Sequence, residues 1–419
     1  MSRPGALSGM PVGIDDLNID AGTLAVESVA IAAARGFSER DLAAAAFDRR
    51  SLVPPCEDAV TLAVNAAHPL VEAAGREAFE LVIVATESGF DYGKPLSSYV
   101  HHYLGLGGRC RNLEVKHACY AGTAAIQLAT AWVRSGDSPG RKALVVMTDL
   151  ARRHFGQPAE LTAGSGAVAV TIAAEPRVLE IEPVSGYACR EVYDVARPNA
   201  TGEWGDPVLS LAAYFDLIEE AWDSFRTATG TTLTVDQRFR YMLYHTPLVS
   251  LVRDAHRLLL EAGGDDLDPA DAQASFDRMV RPALGFVREL ANIYSGSVYC
   301  LLAGLIDGDA ELGDATPVGI CSYGSGSCAE IFAGRIGDAA RDTVRRHCIG
   351  AHLAARTTVG VDEYERIFRE SETMHIARDY LPDPEFAARH YGHGRSGRRR
   401  LVLTRIENHH RLYGWSPQD

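Results

Sequence analysis

None of the eight cysteines forms a C-x-x-C pair, and no cysteine or histidine cluster has ligand spacing. A structural zinc site or a disulfide framework is therefore not expected. No apolar run approaches the roughly 20 residues that span a bilayer, and the N-terminus lacks the basic-then-apolar pattern of a signal peptide. Basic charge is not in excess: 41 Lys and Arg stand against 55 Asp and Glu, a formal net charge of −14, which argues against general nucleic-acid binding. The turn Gly324-Ser325-Gly326 is not followed by Gly-Lys-Ser/Thr, so it is no phosphate loop. These absences leave a cytoplasmic protein with no metal, no membrane segment and no nucleic-acid partner as the expectation.

The 419 residues are too many for one small core and suggest two domains or two halves of a large one. Up to about Ala174 the chain alternates strand and helix. Leu81–Ala85 and Lys142–Met147 are continuous apolar runs of the kind buried on both faces, and Gly164–Ile172 reads as a closing strand. Helical spacing covers Ala21–Arg35, Thr61–Ala74 and Ala121–Arg134, with Pro69 predicting a kink in the second. The rhythm returns afterwards: Tyr214–Ala228 and Leu248–Ala262 read as helices, Arg240–His245 as a strand, Gly296–Ile306 as a small-residue helix, and Val318–Phe332 as strand, glycine turn, strand. The pattern predicts an α/β layered protein with duplicated halves, 1–174 and 175–419. The tail from Val361 adds a helix and a late apolar stretch, Leu401–Thr404. The basic run Arg395 to Arg400 between them reads as a solvated turn.

Cys119 stands at a strand-to-helix junction, where helix N-terminal N–H groups lower a thiol pKa from about 8.5 towards neutrality. Glu87, His245 and the Gly324-Ser325-Gly326 turn also fall where strands end, and in α/β sheets sites gather at the carboxyl ends of strands. Together they would supply a nucleophile, a base, a polarising group and backbone donors for an oxyanion. Taken singly, each has a plainer role: a structural cysteine, a solvent-facing carboxylate, a core histidine, a tight hairpin.

In combination these residues resemble the 3-hydroxy-3-methylglutaryl (HMG) synthase family. The matching motifs are Thr86-Glu87-Ser88-Gly89, Glu114-Val115-Lys116-His117-Ala118-Cys119-Tyr120, Tyr244-His245-Thr246-Pro247, Asn292-Ile293-Tyr294-Ser295-Gly296-Ser297 and Ser322-Tyr323-Gly324-Ser325-Gly326, with Asp194 to Asn199 as a sixth. The resemblance implies a thiolase fold in five α-β-α-β-α layers, a homodimer and a carbon–carbon bond-forming acyltransferase. Cys119 would carry an acetyl group and Glu87 would deprotonate its methyl. His245, with Asn292, would bind the acceptor. Donors near Ser325 would stabilise oxyanions, with Tyr323, Asp194 and Asp206 as supporting groups. Ala291 replaces the family's glycine before Asn292, and Pro54-Pro55-Cys56 is also a departure.

Within the family the chain resembles the polyketide β-branching synthases, through Glu57–Ala67, Ser97–Gly105 and Asn408–Trp415. That implies no permanently bound cofactor. Donor and acceptor acyl carrier proteins would deliver acyl groups on a phosphopantetheine arm. Ser250 stands where a coenzyme A-dependent member has a lysine; Arg253 and Arg257 remain, and Arg35, Arg40, Arg49 and Arg50 would form a docking patch. The other readings are a coenzyme A-dependent HMG synthase and a non-catalytic scaffold for carrier proteins.

Overall fold

The computed structural model describes residues 9–137, 139–150, 154–199, 202–262, 267–308, 310–386 and 399–416. Nine strands form one sheet. In chain order they are β1 (Val12–Asp20), β2 (Phe79–Ala85), β3 (Arg111–Val115), β4 (Lys142–Asp149), β5 (Gly166–Ala174), β6 (Leu179–Cys189), β7 (Tyr241–Tyr244), β8 (Thr316–Gly324) and β9 (Cys328–Ile336). Their order across the sheet is β7-β8-β9-β6-β1-β5-β4-β2-β3.

This order holds one arrangement twice. In β1-β5-β4-β2-β3, strands β2, β3 and β4 are parallel, β5 is antiparallel to β4, and β1 is antiparallel to β5. In β6-β9-β8-β7, strands β7 and β8 are parallel, β9 is antiparallel to β8, and β6 is antiparallel to β9. The two runs meet where β1 pairs with β6, Gly13 opposite Glu180 and Ile14 opposite Leu179. Among the described residues β3 has no counterpart in the second run.

The helices that matter here are α1 (Ala59–Ala74), α2 (Ala121–Ser135), α3 (Pro207–Thr229), α4 (Val249–Glu261) and α5 (Ser297–Asp307). Strand β2 shows why helices cover both faces. Leu81, Ile83 and Ala85 join one apolar cluster while Val82 and Val84 join another, as period-two alternation requires. Helix α1 supplies the second cluster, and α2 the first. Helix α3 packs on β6 so closely that a Cβ at Gly186 would lie 2.0 Å from the Phe225 nitrogen. Helices α2 and α5 are joined by Thr123 Oγ1 and Tyr299 OH at 2.8 Å.

Several expectations need correction. Leu24–Glu27 is a strand rather than the start of a helix, paired with Arg49–Leu52. Helix α1 runs unbroken past Pro69, because the burial of Val60, Ala63, Val64, Ala67 and Leu70 outweighs one missing N–H. Residues 395–398 of the basic run lie outside the described residues. Arg400, however, is buried rather than solvated: it pairs with Asp20 at 2.8 Å and Glu57 at 2.9 Å. It thereby anchors the C-terminal hairpin Leu401–Glu407 and His410–Trp415.

Candidate active site

Glu87, Cys119, His245 and the Ser325 turn each follow the carboxyl end of a strand, while Asn292 follows a short helix, Gly285–Leu290. After β3 the chain makes a tight turn in which Ala118 has φ +42°, a strained value for a residue with a Cβ. His117 O accepts from Tyr120 N at 3.1 Å, and α2 starts at Ala121, so Cys119 sits just before its first turn. Two glycines let the second half approach this turn. A Cβ at Gly122 would lie 2.4 Å from Ser295 O, and one at Gly324 would lie 2.5 Å from Tyr120 N. The Asn292 turn and the Gly324–Gly326 turn therefore both pack against the residues flanking Cys119.

Asp149, at the end of β4, organises the floor. Its Oδ1 accepts from Thr86 Oγ1 (3.2 Å), Glu87 N (2.9 Å) and Ser88 Oγ (3.0 Å), and its Oδ2 accepts from Ser295 Oγ (2.6 Å). One buried carboxylate thus ties the Glu87 turn to the Asn292 turn. Burial raises its pKa against the pull of these donors.

Glu87 lies against Arg197, whose Nη1 is 3.0 Å from Glu87 Oε1 and 2.8 Å from the Glu87 carbonyl oxygen. Arg197 Nε donates to Glu203 Oε2 at 2.9 Å. Burial alone would disfavour the guanidinium charge, but Glu87, Tyr294 and Glu203 outweigh it and raise the Arg197 pKa. Burial likewise pushes Glu203 up, yet His154 and Arg197 prevail and hold it at about 2. The Cys119 residue keeps partial exposure. Its thiol is desolvated, and burial together with Glu87 and Asp149 raises its pKa well above the ordinary value. This reverses the expectation of a lowered thiol pKa: the favourable field of the helix terminus is overcome by desolvation and two nearby carboxylates.

His245 follows β7. Its N–H donates to Cys321 O at 2.8 Å and its carbonyl accepts from Tyr214 OH at 3.0 Å. Burial lowers the imidazole pKa to about 3, so the ring is neutral at physiological pH. Asn292 Oδ1 accepts from Tyr294 N (2.9 Å) and Ser297 Oγ (2.6 Å), so the amide NH2 is the end that remains to donate. Ala291 before it has φ +61° and ψ −167°, a region that glycine occupies freely and alanine does not. A cavity of about 500 Å³ is lined by Glu87, Lys116, His117, Ala118, Arg197, Asn199 and Ser325 among others.

Comparison with known proteins gives these groups a context. The hydroxymethylglutaryl-coenzyme A synthase N-terminal model matches residues 12–176 and its C-terminal model matches 269–411. The polyketide biosynthesis 3-hydroxy-3-methylglutaryl-ACP synthase PksG of Bacillus subtilis is 33% identical over 96% of this chain and 99% of its own. The chain belongs to the hydroxymethylglutaryl-coenzyme A synthase family. The Enterococcus faecalis hydroxymethylglutaryl-CoA synthase is 30% identical over 86% of this chain and 92% of its own. The HMG synthase of the curacin pathway, solved in complex with holo donor-ACP, superposes with a TM-score of 0.91 at 33% identity, covering 97% of this chain and all of that one. This synthase is accordingly a condensing acyltransferase with the thiolase fold.

The remaining sequence-predicted groups of the synthase divide into those at the site and those elsewhere. Ser325 lines the cavity, and Tyr323 OH meets Ser327 Oγ at 3.2 Å beneath the same turn. Asp194 Oδ1 accepts from Gly326 N at 3.0 Å, so it holds the turn in place. Asp206 is instead the N-cap of α3, accepting from Val208 N and Leu209 N. Arg35 is bound to Glu160 and Glu365, and Arg50 is buried against Tyr364, so neither contributes to an open docking patch. Arg253 is exposed on α4, beside Arg257 one turn on. Asp149, Arg197, Glu203 and His154 were not singled out from the sequence. The signals for two of them existed: Asp149 ends a predicted strand, and Arg197 falls inside the Asp194–Asn199 motif.

Proposed function

We propose that this synthase carries out the carbon–carbon bond-forming step of polyketide β-branching. Cys119 takes acetyl from a donor acyl carrier protein. Its sulfur attacks the thioester carbonyl, and the carrier's phosphopantetheine thiol leaves with the proton. Glu87 then removes a proton from the acetyl methyl, held in register by Arg197 and by the Asp149 bond to its own backbone. The resulting enolate carbon attacks the β-keto carbon of an acyl chain on a second carrier protein. Neutral His245 and the Asn292 amide hydrogen-bond the keto oxygen as it gains charge, and donors around Ser325 do the same at the thioester. Water finally releases the product from Cys119. The thiolate is the attacking form of cysteine, and burial with Glu87 and Asp149 raises the Cys119 pKa, so the thiol proton must leave as the sulfur attacks.

The observation that carries the choice of carrier protein over coenzyme A is 33% identity, nearly end to end, to a polyketide biosynthesis HMG-ACP synthase and to a curacin-pathway HMG synthase solved with its donor-ACP. The sparse cations after His245, with Ser250 in place of a lysine, support it. Coenzyme A dependence is the second reading, favoured by 30% identity to the Enterococcus enzyme. In the proposed assembly residues 1–174 supply Glu87 and Cys119, residues 175–419 supply His245 and Asn292, and two copies form a cytoplasmic dimer. Among the described residues no helix is long and apolar enough to cross a membrane.

Incubation with acetyl and acetoacetyl carrier proteins tests the scheme. The wild type should release an HMG-type product on the acceptor carrier. Glu87→Gln should accumulate acetyl-Cys119 without condensing, and Cys119→Ala should do neither. Product formation by Cys119→Ala at the wild-type rate would refute the scheme.

A further inference from the structure

Strands β6 and β9 carry a pair of thiols beside the site. Cys189 and Cys328 are directly opposite in the antiparallel ladder. Arg190 and Ser327, the neighbouring pair, exchange both backbone bonds: Ser327 N to Arg190 O at 2.7 Å and Arg190 N to Ser327 O at 3.1 Å. Narrow and wide pairs alternate along such a ladder, so Cys189 and Cys328 occupy the non-hydrogen-bonded kind, with Cα atoms about 4.5 Å apart. That separation lies at the short end of the range a disulfide tolerates, about 4.4–6.8 Å. The sulfur atoms lie 2.8 Å apart. Cys189 is exposed and Cys328 is buried.

The pair is also coupled to the chemistry. Cys328 begins β9 immediately after the Gly324–Ser327 turn. It shares a strand face with Glu330, whose carboxylate accepts from the hydroxyl of Tyr120, the residue after Cys119, at 2.6 Å. We propose that Cys189 and Cys328 form a reversible dithiol–disulfide switch at the base of the Ser325 turn, read by low-molecular-weight disulfides such as oxidised glutathione. The exposed Cys189 thiolate attacks the glutathione disulfide, that bond breaks, and one glutathione leaves as a thiol. Cys328 then attacks the Cys189 sulfur and displaces the second glutathione. Two protein thiols become one disulfide and one oxidised glutathione becomes two reduced ones, which take both protons.

The functional consequence rests on the acyl-transfer reading above. A separation of about 4.5 Å is at the edge of the disulfide range, and relaxing towards its centre near 5.5–6 Å displaces the base of the turn by up to about 1 Å. Misplacement by that distance slows an oriented reaction by up to about 10²-fold.

The test treats the full-length protein with oxidised glutathione, blocks remaining thiols with iodoacetamide and maps peptides by mass spectrometry. Cys189→Ser and Cys328→Ser are treated alongside. The expected result is one linked Cys189–Cys328 peptide pair, with Cys119 still open to alkylation. Acetyl loading should slow by up to about 10²-fold and recover with dithiothreitol. Cys328→Ser should keep glutathione on Cys189, and Cys189→Ser should load acetyl at the same rate before and after treatment. A wild type that retains glutathione on Cys189 while Cys328 stays alkylatable overturns the disulfide, and a linked pair with unchanged loading overturns the switch. If the linked pair forms but reduced protein never loads Cys119, the disulfide stands and the acyl-transfer reading is what fails.

Discussion

Arg197 is held between two carboxylates: Nη1 lies 3.0 Å from Glu87 Oε1 and Nε lies 2.9 Å from Glu203 Oε2. A planar fork fixes the geometry of both, whereas an ammonium is a point charge on a flexible stem. Arg197→Lys keeps the charge but releases the geometry of Glu87. Condensation should fall by roughly 10²-fold, while acetyl loading of Cys119, which does not need Glu87 aimed at a methyl group, falls far less. Following acetyl-enzyme by mass spectrometry and product by chromatography separates the two steps. Equal losses in both would mean that Arg197 does more than orient Glu87.

Ala291 has φ +61°, in a region that glycine occupies freely and a residue with a Cβ does not. A Cβ in that region costs about 1–3 kcal/mol, and glycine returns about 0.5–1 kcal/mol of that as unfolded-state entropy. Ala291→Gly should therefore stabilise the protein by about 1 kcal/mol without loss of activity, visible as a higher urea midpoint at unchanged m-value. A lower midpoint would show that Ala291 sits there without strain.

His256 bonds Tyr244 OH and Ser275 Oγ inside the core, and burial lowers its pKa to about 4; His245 falls to about 3 for the same reason. Both folded-state values lie below the unfolded value near 6.5, so the unfolded chain binds the extra protons first. Their penalty is absent above about pH 7, grows as pH drops below 6.5, and levels off below the folded values. At pH 5 each contributes a loss of about 2 kcal/mol. His256→Gln should flatten the fall in stability between pH 7.5 and 5 by about that amount, measured by denaturant unfolding at each pH. An unchanged slope would count against a neutral buried His256.

Arg400 is 3% exposed in its side chain and is shared by Asp20 and Glu57, which are also buried. Removing the cation strands two carboxylates, a loss of about 3–5 kcal/mol. Arg400→Ala should lower the melting temperature sharply and expose the Leu401–Trp415 hairpin to proteolysis before the rest of the chain. A shift of only a degree or two would mean that the hairpin is held by its apolar contacts alone.

These cases also show what could be read from the residues and what could not. Continuous apolar runs such as Leu81–Ala85 and Lys142–Met147 gave the buried strands, because runs this short and rich in valine fit a doubly covered strand, whereas a buried helix such as Ser297–Asp307 needs a longer one. The order of motifs pointed to Glu87, Cys119 and His245, each of which lies just past the end of a strand. Strand Leu179–Cys189 was missed because its exposed face alternates irregularly around Glu182, Pro183 and Val184. The roles of Arg35 and Arg400 were misjudged for a different reason. Whether an arginine faces water depends on which carboxylates arrive from distant segments: Glu160 and Glu365 for Arg35, Asp20 and Glu57 for Arg400. Likewise, the sense of the Cys119 pKa shift depends on Asp149 and on desolvation, neither of which local sequence around the cysteine contains.

The central claim is that Cys119 is acylated from a carrier protein. The decisive measurement offers the full-length enzyme acetyl-carrier protein and acetyl-coenzyme A in parallel and follows the mass of the Cys119 peptide with time. Rapid gain of one acetyl group from the carrier protein, with slow or no gain from coenzyme A, is the expected result. Acetylation from coenzyme A alone would contradict it.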